Sequence, residues 1–135
     1  MTESQHMQDQ QVWDHLLSGS DKYISLGSRK RDGSIVRTPV WFVTKDSELI
    51  VTTQDSSGKA KRVRNFPEVD LAVCDMRGNI KGQIISAAAQ QIPDSNPDIF
   101  VSHFKKKYGL MFRIMSIRGS NDRAFIRISR DGFTS

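Results

Sequence analysis

Residues 50–67 read Ile50-Val51-Thr52-Thr53-Gln54-Asp55-Ser56-Ser57-Gly58-Lys59-Ala60-Lys61-Arg62-Val63-Arg64-Asn65-Phe66-Pro67. The β-branched residues from Ile50 to Thr53 predict a strand. Asp55, Ser56, Ser57 and Gly58 supply turn and cap chemistry, and Ser56 or Ser57 is placed to accept a bond from an amide of a following helix. Ala60, Val63 and Phe66 give that helix one apolar stripe, and Pro67 ends it. The charge is what needs explaining: Lys59, Lys61, Arg62 and Arg64 crowd the first two turns, where the helix dipole favours acids. A bound anion removes the conflict, because free amides, the dipole and the cations then converge on one phosphate. A solvated basic face is the other reading, and these residues alone leave the two open.

Around this stretch the chain is short and basic. Its 135 residues suit one domain, and its net charge of +5 points to an anionic ligand or partner: nucleic acid, a membrane surface or a phosphorylated small molecule. Cys74 is the single cysteine, which rules out a disulfide framework and a Cys-rich zinc site. His6, His15 and His103 are too scattered to suggest a metal site. No stretch has the apolar length of a signal peptide or a membrane span, so a cytoplasmic protein is expected. Residues 1–10 are polar and Gln-rich and are expected to form a disordered leader, with 11–135 as the single folded domain.

The leader gives way to a short amphipathic helix carrying Val12, Trp13, Leu16 and Leu17, with Trp13 expected as a core or interface plug. Strands are expected over Tyr23 to Lys30 and Ile35 to Val43, joined by the hairpin signal Arg31-Asp32-Gly33-Ser34. Pro39 forfeits a ladder bond, which confines it to an edge or a bulge. Further strands are expected over Glu48 to Gln54, Val69 to Met76, Ile80 to Ile92 and Arg123 to Ser129. Pro93 to Pro97 is a break, and Asp98 to Tyr108 fits an amphipathic helix with Gly109 as its C-cap. Leu110 to Ile117 is a candidate for a second short helix. Cys74 is expected as a small buried side chain rather than a nucleophile. Six strands joined mostly by tight turns indicate a mainly β protein, an antiparallel sheet closed into a small barrel with a few short helices.

This pattern resembles the pyridoxamine 5′-phosphate oxidase-like split-barrel flavoproteins. Members with FMN carry an R-x-V-L-L-K strand, then a strand and turn Y-T-N-x-x-S-R-K, then a short helix and P-x-V. The chain has Arg37-Thr38-Pro39-Val40-Trp41-Phe42, then Thr52-Thr53-Gln54-Asp55-Ser56-Ser57-Gly58-Lys59, then Pro67-Glu68-Val69, in the same order and spacing. The resemblance implies a six-stranded, Greek-key split barrel and a homodimer with the cofactor at its interface. It places Arg37, Thr53, Ser57 and Lys59 at positions that hold the cofactor phosphate or line the ring pocket. It sets the backbone of Thr38, Pro39, Val40 and Trp41 beside the ring, and Lys81 near a contact made across the dimer. Two family cations are absent, their places taken by Phe42 and Gly58; Lys61 and Arg62, one turn on, are positioned to replace the charge.

The chain ends without the Arg-containing segment that binds pyridoxamine phosphate in the oxidases proper, so that activity is not expected. The pattern T-P-V-W-F, then T-x-x-x-S-G-K-x-x-R, then K-Y-G looks more like the branch that uses the deazaflavin coenzyme F420, with FMN as the alternative. The absence of a triad, paired carboxylates or a nucleophile elbow fits an oxidoreductase whose cofactor exchanges hydride with a small organic substrate. The expected contacts are Arg37, Thr38, Pro39, Val40, Trp41, Thr53, Ser57, Gly58, Lys59, Arg62 and Lys81, with Trp41 or Tyr108 as a substrate wall. Two rivals stand beside this reading: a non-enzymatic flavin or tetrapyrrole binder on the same barrel, and a basic nucleic-acid-binding β-barrel. Against the second, the aromatics do not interleave with the basic residues as a stacking series. Neither nucleic acid nor membrane is expected as a partner.

Overall fold

A computed structural model describes residues 3–54, 57–92, 98–110 and 123–130. The described elements are helices α1 (Glu3–Leu17), α2 (Gly58–Asn65) and α3 (Asp98–Tyr108), with strands β1 (Ile24–Arg29), β2 (Ile35–Val40), β3 (Phe42–Lys45), β4 (Glu48–Gln54), β5 (Glu68–Val73), β6 (Ile85–Gln91) and β7 (Arg123–Ser129). The strands form one sheet in the order β2-β1-β5-β6-β7-β4-β3, every pair antiparallel. β2 and β3 stand at opposite edges of that sheet, yet only Trp41 separates them in the chain. The two edges therefore have to meet at Trp41, and the sheet is curled into a barrel. Val40 still pairs with Ile24 of β1, whereas Phe42 already pairs with Val51 of β4.

This crossing corrects the strand tally from six to seven, because the expected strand Ile35 to Val43 changes partner at Trp41 and counts twice. Pro39 lies in β2, an edge strand, where its missing N–H costs the ladder least. A second correction shortens the expected strand Ile80 to Ile92 to Ile85–Gln91. Upstream of it, the Asp75 carboxylate accepts from the N–H groups of Arg77 and Asn79 and from the Asn79 amide, which holds residues 75–79 as a turn. Helix α1 begins at Glu3, so residues 3–10, expected as a disordered leader, are its first turns. Asp9 accepts from Gln83 at 2.6 Å, and Gln10 accepts from Arg130, which ties those turns to the barrel.

The barrel interior is filled from alternate positions of each strand: Ile24 and Leu26, Leu49 and Val51, Val69 and Leu71, Ile126 and Ile128. Trp13 and Leu16 of α1 and Val63 of α2 join the same core, so Trp13 is the plug expected. A smaller core lies on the outer side of β3, β4 and β7, where Phe104 of α3 is fully buried against Val43, Ile50 and Phe125. Gly109 ends α3 at φ 61° with its N–H on the Lys105 carbonyl, as a C-cap glycine should. The Asp46-Ser47 hairpin between β3 and β4 has both residues at positive φ, a type I′ turn matching strand twist. Cys74 is buried, and burial raises its thiol pKa, which suits an inert packing role. The expected break at Pro93 to Pro97 and the helix candidate over residues 111–117 lie outside the described residues.

Candidate functional site

Strand β4 delivers the chain to the start of α2, and the cap forms there as the sequence suggests. Ser57 has extended backbone (φ −67°, ψ 156°), and its Oγ accepts from the Ala60 N–H at 3.2 Å. The same Oγ lies 3.2 Å from Thr53 Oγ1, which joins the end of β4 to the cap. Asp55 and Ser56 lie outside the described residues, so the choice between Ser56 and Ser57 as cap rests on this observed bond. The first turn of α2 carries no acid. Ala60 and Val63 are buried, and Phe66 closes the helix with its N–H on the Arg62 carbonyl before Pro67.

Lys59 in that turn is half-buried and has no carboxylate partner among the described residues. Burial lowers its pKa, and the neighbouring Arg62 charge adds to the effect. Arg62 extends from α2 to β1, where its Nε donates to Ser28 Oγ at 2.6 Å inside the barrel wall. A Cβ placed on Gly58 would sit 2.7 Å from Arg62 Nη1. The glycine thus leaves the start of the helix open for a guanidinium that comes from one turn further along. This is how the chain keeps a cation there although the Arg of the S-R-K pattern is missing.

The remaining expected site residues are not gathered at this turn. Arg37 donates from Nη2 to Asp70 Oδ2 at 2.8 Å, passing over Gly27. Gly27 and Ser28 are consecutive in β1 and face opposite sides of the sheet, so Arg37 and Arg62 lie on opposite faces. Thr38 and Val40 share the inward register of Leu26 and Ile24, and the Thr38 hydroxyl is buried without a hydrogen-bond partner among the described residues. Pro39 packs beside Gly78. Among the described residues no strand lies alongside β2 on the side away from β1, so its backbone edge is not paired with another described strand. Lys81 donates its N–H to Val73 and lines a separate cleft with Gln8, Val12 and His15 of α1.

Trp41 stacks on Tyr108 with ring centroids 4.5 Å apart and planes 11° from parallel. The Tyr108 hydroxyl accepts from the Phe42 N–H at 2.9 Å and lies 2.8 Å from the Lys22 carbonyl and 3.0 Å from that of Phe42. Lys107 Nζ donates to the same Phe42 carbonyl at 2.8 Å, so the end of α3 holds the crossing point of the barrel. Burial lowers the Lys107 pKa to about 8 and raises that of the Tyr108 phenol.

The residues missed by sequence reasoning are Gly27, Ser28 and Asp70; Ser28 and Asp70 each meet an arginine more than thirty positions away, 34 for Ser28–Arg62 and 33 for Asp70–Arg37. Nothing local to Ser28 or Asp70 marks them. A wider basic feature was also read only as a hairpin: Arg29, Lys30 and Arg31 face Lys61 and Arg62 across a cleft of about 450 Å³. Among the described residues no cluster of His, Cys, Asp and Glu is arranged to hold a metal, and no helix is long and apolar enough to cross a membrane.

No protein-family model matches the sequence, and no curated protein does either. Solved structures do match the fold. The chain is similar to the heme storage protein HutZ from Vibrio cholerae (TM-score 0.67, 14% identity, 89% of each chain covered). It is similar to a putative pyridoxamine 5′-phosphate oxidase from Listeria innocua (TM-score 0.59, 16% identity, 90% of this chain and 94% of that one). An F420 reductase is comparable (TM-score 0.60, 17% identity, 89% and 94%). At these identities the likeness lies in the fold alone: the chain shares with these structures a mainly β, antiparallel sheet curled into a split barrel.

Proposed function

We propose that this split barrel is an oxidoreductase that binds a flavin-type cofactor, coenzyme F420 in preference to FMN, and transfers hydride between it and a small organic substrate. The observation that carries the reading is Lys59: a half-buried cation without a carboxylate among the described residues, in a helix turn that has free amides, no acid and Arg62 beside it. That set fits a phosphate. Ser57 caps the helix and fixes the turn, Lys59 and Arg62 neutralise the phosphate, and Gly58 keeps Arg62 over it. The open edge of β2, with the backbone of Thr38 to Trp41, lies along the ring, and the aromatic pair Trp41 and Tyr108 forms a wall of the substrate space. When bound, the ring supplies the hydride chemistry; the protein binds, orients and screens it from water. The structural likeness to an F420 reductase and to a putative pyridoxamine 5′-phosphate oxidase supports a cofactor of this class. A homodimer completes the site: the unpaired β2 edge and the separate position of Lys81 leave room for a partner chain to contribute.

The test is a parallel titration of the purified protein with F420 and FMN, followed by quenching of cofactor fluorescence. Tight F420 binding with weak FMN binding is expected. The reverse makes the protein an FMN protein, and binding of neither removes the reading. Bound cofactor that reduces no acceptor in a screen makes the protein a binder rather than an enzyme.

A further inference from the structure

We infer that the cleft between the β1–β2 hairpin and helix α2 is a second anion site, whose hairpin wall is separate from the Lys59 turn and whose helix wall shares Arg62 with it, that takes a small ligand bearing two or more linked phosphates. Cations stand on both walls: Lys30 and Arg31 at the hairpin, Lys61 and Arg62 on the helix. Gly58, Lys61, Arg62 and Asn65 follow the i, i+3, i+4, i+7 spacing of one helix face. Lys59 lies about 100° round the helix from Gly58 and does not line this cleft.

Cations outnumber acids on these walls: Arg29, Lys30, Arg31, Lys61 and Arg62 line the cleft against Asp32, and Arg29 is 3.6 Å from Glu68. Lys30, Arg31 and Lys61 have no ion-pair partner among the described residues. Ser28 takes the Nε of Arg62, which leaves the two terminal nitrogens of its guanidinium without a hydrogen bond among the described residues. The one acid lining the cleft, Asp32, accepts at Oδ1 from the Ser34 N–H at 2.9 Å and from its hydroxyl at 2.6 Å, and lies close enough to Lys30 to feel its charge. Like charges on facing walls repel one another, so the arrangement is favourable when an anion bridges them. One phosphate can satisfy one wall. A linked pair or triplet spans both, and about 450 Å³ falls within the range of small-molecule sites. Half-buried Phe66 adds an apolar surface beside the cations.

The experiment is calorimetric titration of the purified protein with inorganic tripolyphosphate, with sulfate at matched ionic strength as the reference. Saturable one-to-one binding, at least about tenfold tighter than sulfate, is expected. The double variant Lys30→Gln/Arg31→Gln, on the exposed hairpin, should lose about tenfold or more of that affinity while its melting temperature and its F420 and FMN titrations stay unchanged. Lys59→Ala should leave tripolyphosphate affinity within about twofold, because Lys59 faces elsewhere. Tripolyphosphate binding no better than sulfate, or an unaffected double variant, overturns the site. Loss of cofactor affinity in the double variant overturns its separateness. Displacement of tripolyphosphate by a single-stranded oligonucleotide at lower concentration overturns the small-ligand assignment in favour of nucleic acid. Failure of the F420 and FMN titrations leaves the tripolyphosphate outcomes untouched, since those are read without cofactor.

Discussion

Arg37 reaches Asp70 across Gly27. The guanidinium and carboxylate meet at 2.8 Å, and the Arg37 stem crosses β1 where it has no side chain. A Cβ on Gly27 would lie 3.0 Å from Ile35 Cγ2, 3.1 Å from Asp70 Cβ and 3.3 Å from Arg37 Cγ. Gly27→Val should therefore lose about 1–3 kcal/mol of stability. Urea unfolding at neutral pH checks this, and a variant as stable as the wild type would show that β2 moves aside without cost.

Tyr108 is the residue that fastens α3 to the barrel crossing. Tyr108→Phe keeps the stack on Trp41 but leaves the buried Phe42 N–H without its acceptor. The expected loss is about 1–3 kcal/mol. Thermal unfolding of the purified variant measures it; an unchanged midpoint would mean that water takes over as acceptor.

Lys107 should make stability depend on pH. Its pKa is about 8 in the folded protein, against 10.5 for an ordinary lysine; burial is the main cause, the nearby Lys22 charge adds, and Asp21 partly opposes. Between these values the unfolded chain binds the extra proton, so stability rises with pH through that window. Below about pH 8 both states are charged and the cost of burying the cation persists. Measured against Lys107→Gln, the wild type should gain stability from about pH 8 to about pH 10.5 and show no gain between pH 6 and pH 7. A flat difference across the whole range would contradict the buried placement.

Lys59→Ala should weaken F420 or FMN binding roughly tenfold or more without changing the melting temperature. Gly58→Ala provides an independent check, because its Cβ would displace the Arg62 guanidinium from the start of α2. It should weaken cofactor binding while leaving α2 formed, as judged by circular dichroism. Affinity unchanged in both variants would return the basic turn to a solvated surface.

Periodicity and turn chemistry were enough to place most of this fold. The alternation along β1, β4 and β7, the Gly33 and Asp46-Ser47 hairpins, the cap before α2 and the glycine after α3 are local features, and each is decided by residues within a few positions of one another. The capped basic turn was legible for the same reason: Ser57, Gly58 and Lys59 are neighbours. Tertiary structure decided what depends on partners distant in the chain. Trp41 splits an apparently continuous strand because the sheet closes there, and closure is a property of the whole barrel. Arg37 pairs with Asp70, Arg62 with Ser28, and Lys30 and Arg31 come to face Lys61, only because the strand order puts β1 between β2 and β5 and brings α2 against it. Composition identified an excess of cations, but only folding decided which of them stand together, since charges interact through space and not along the chain.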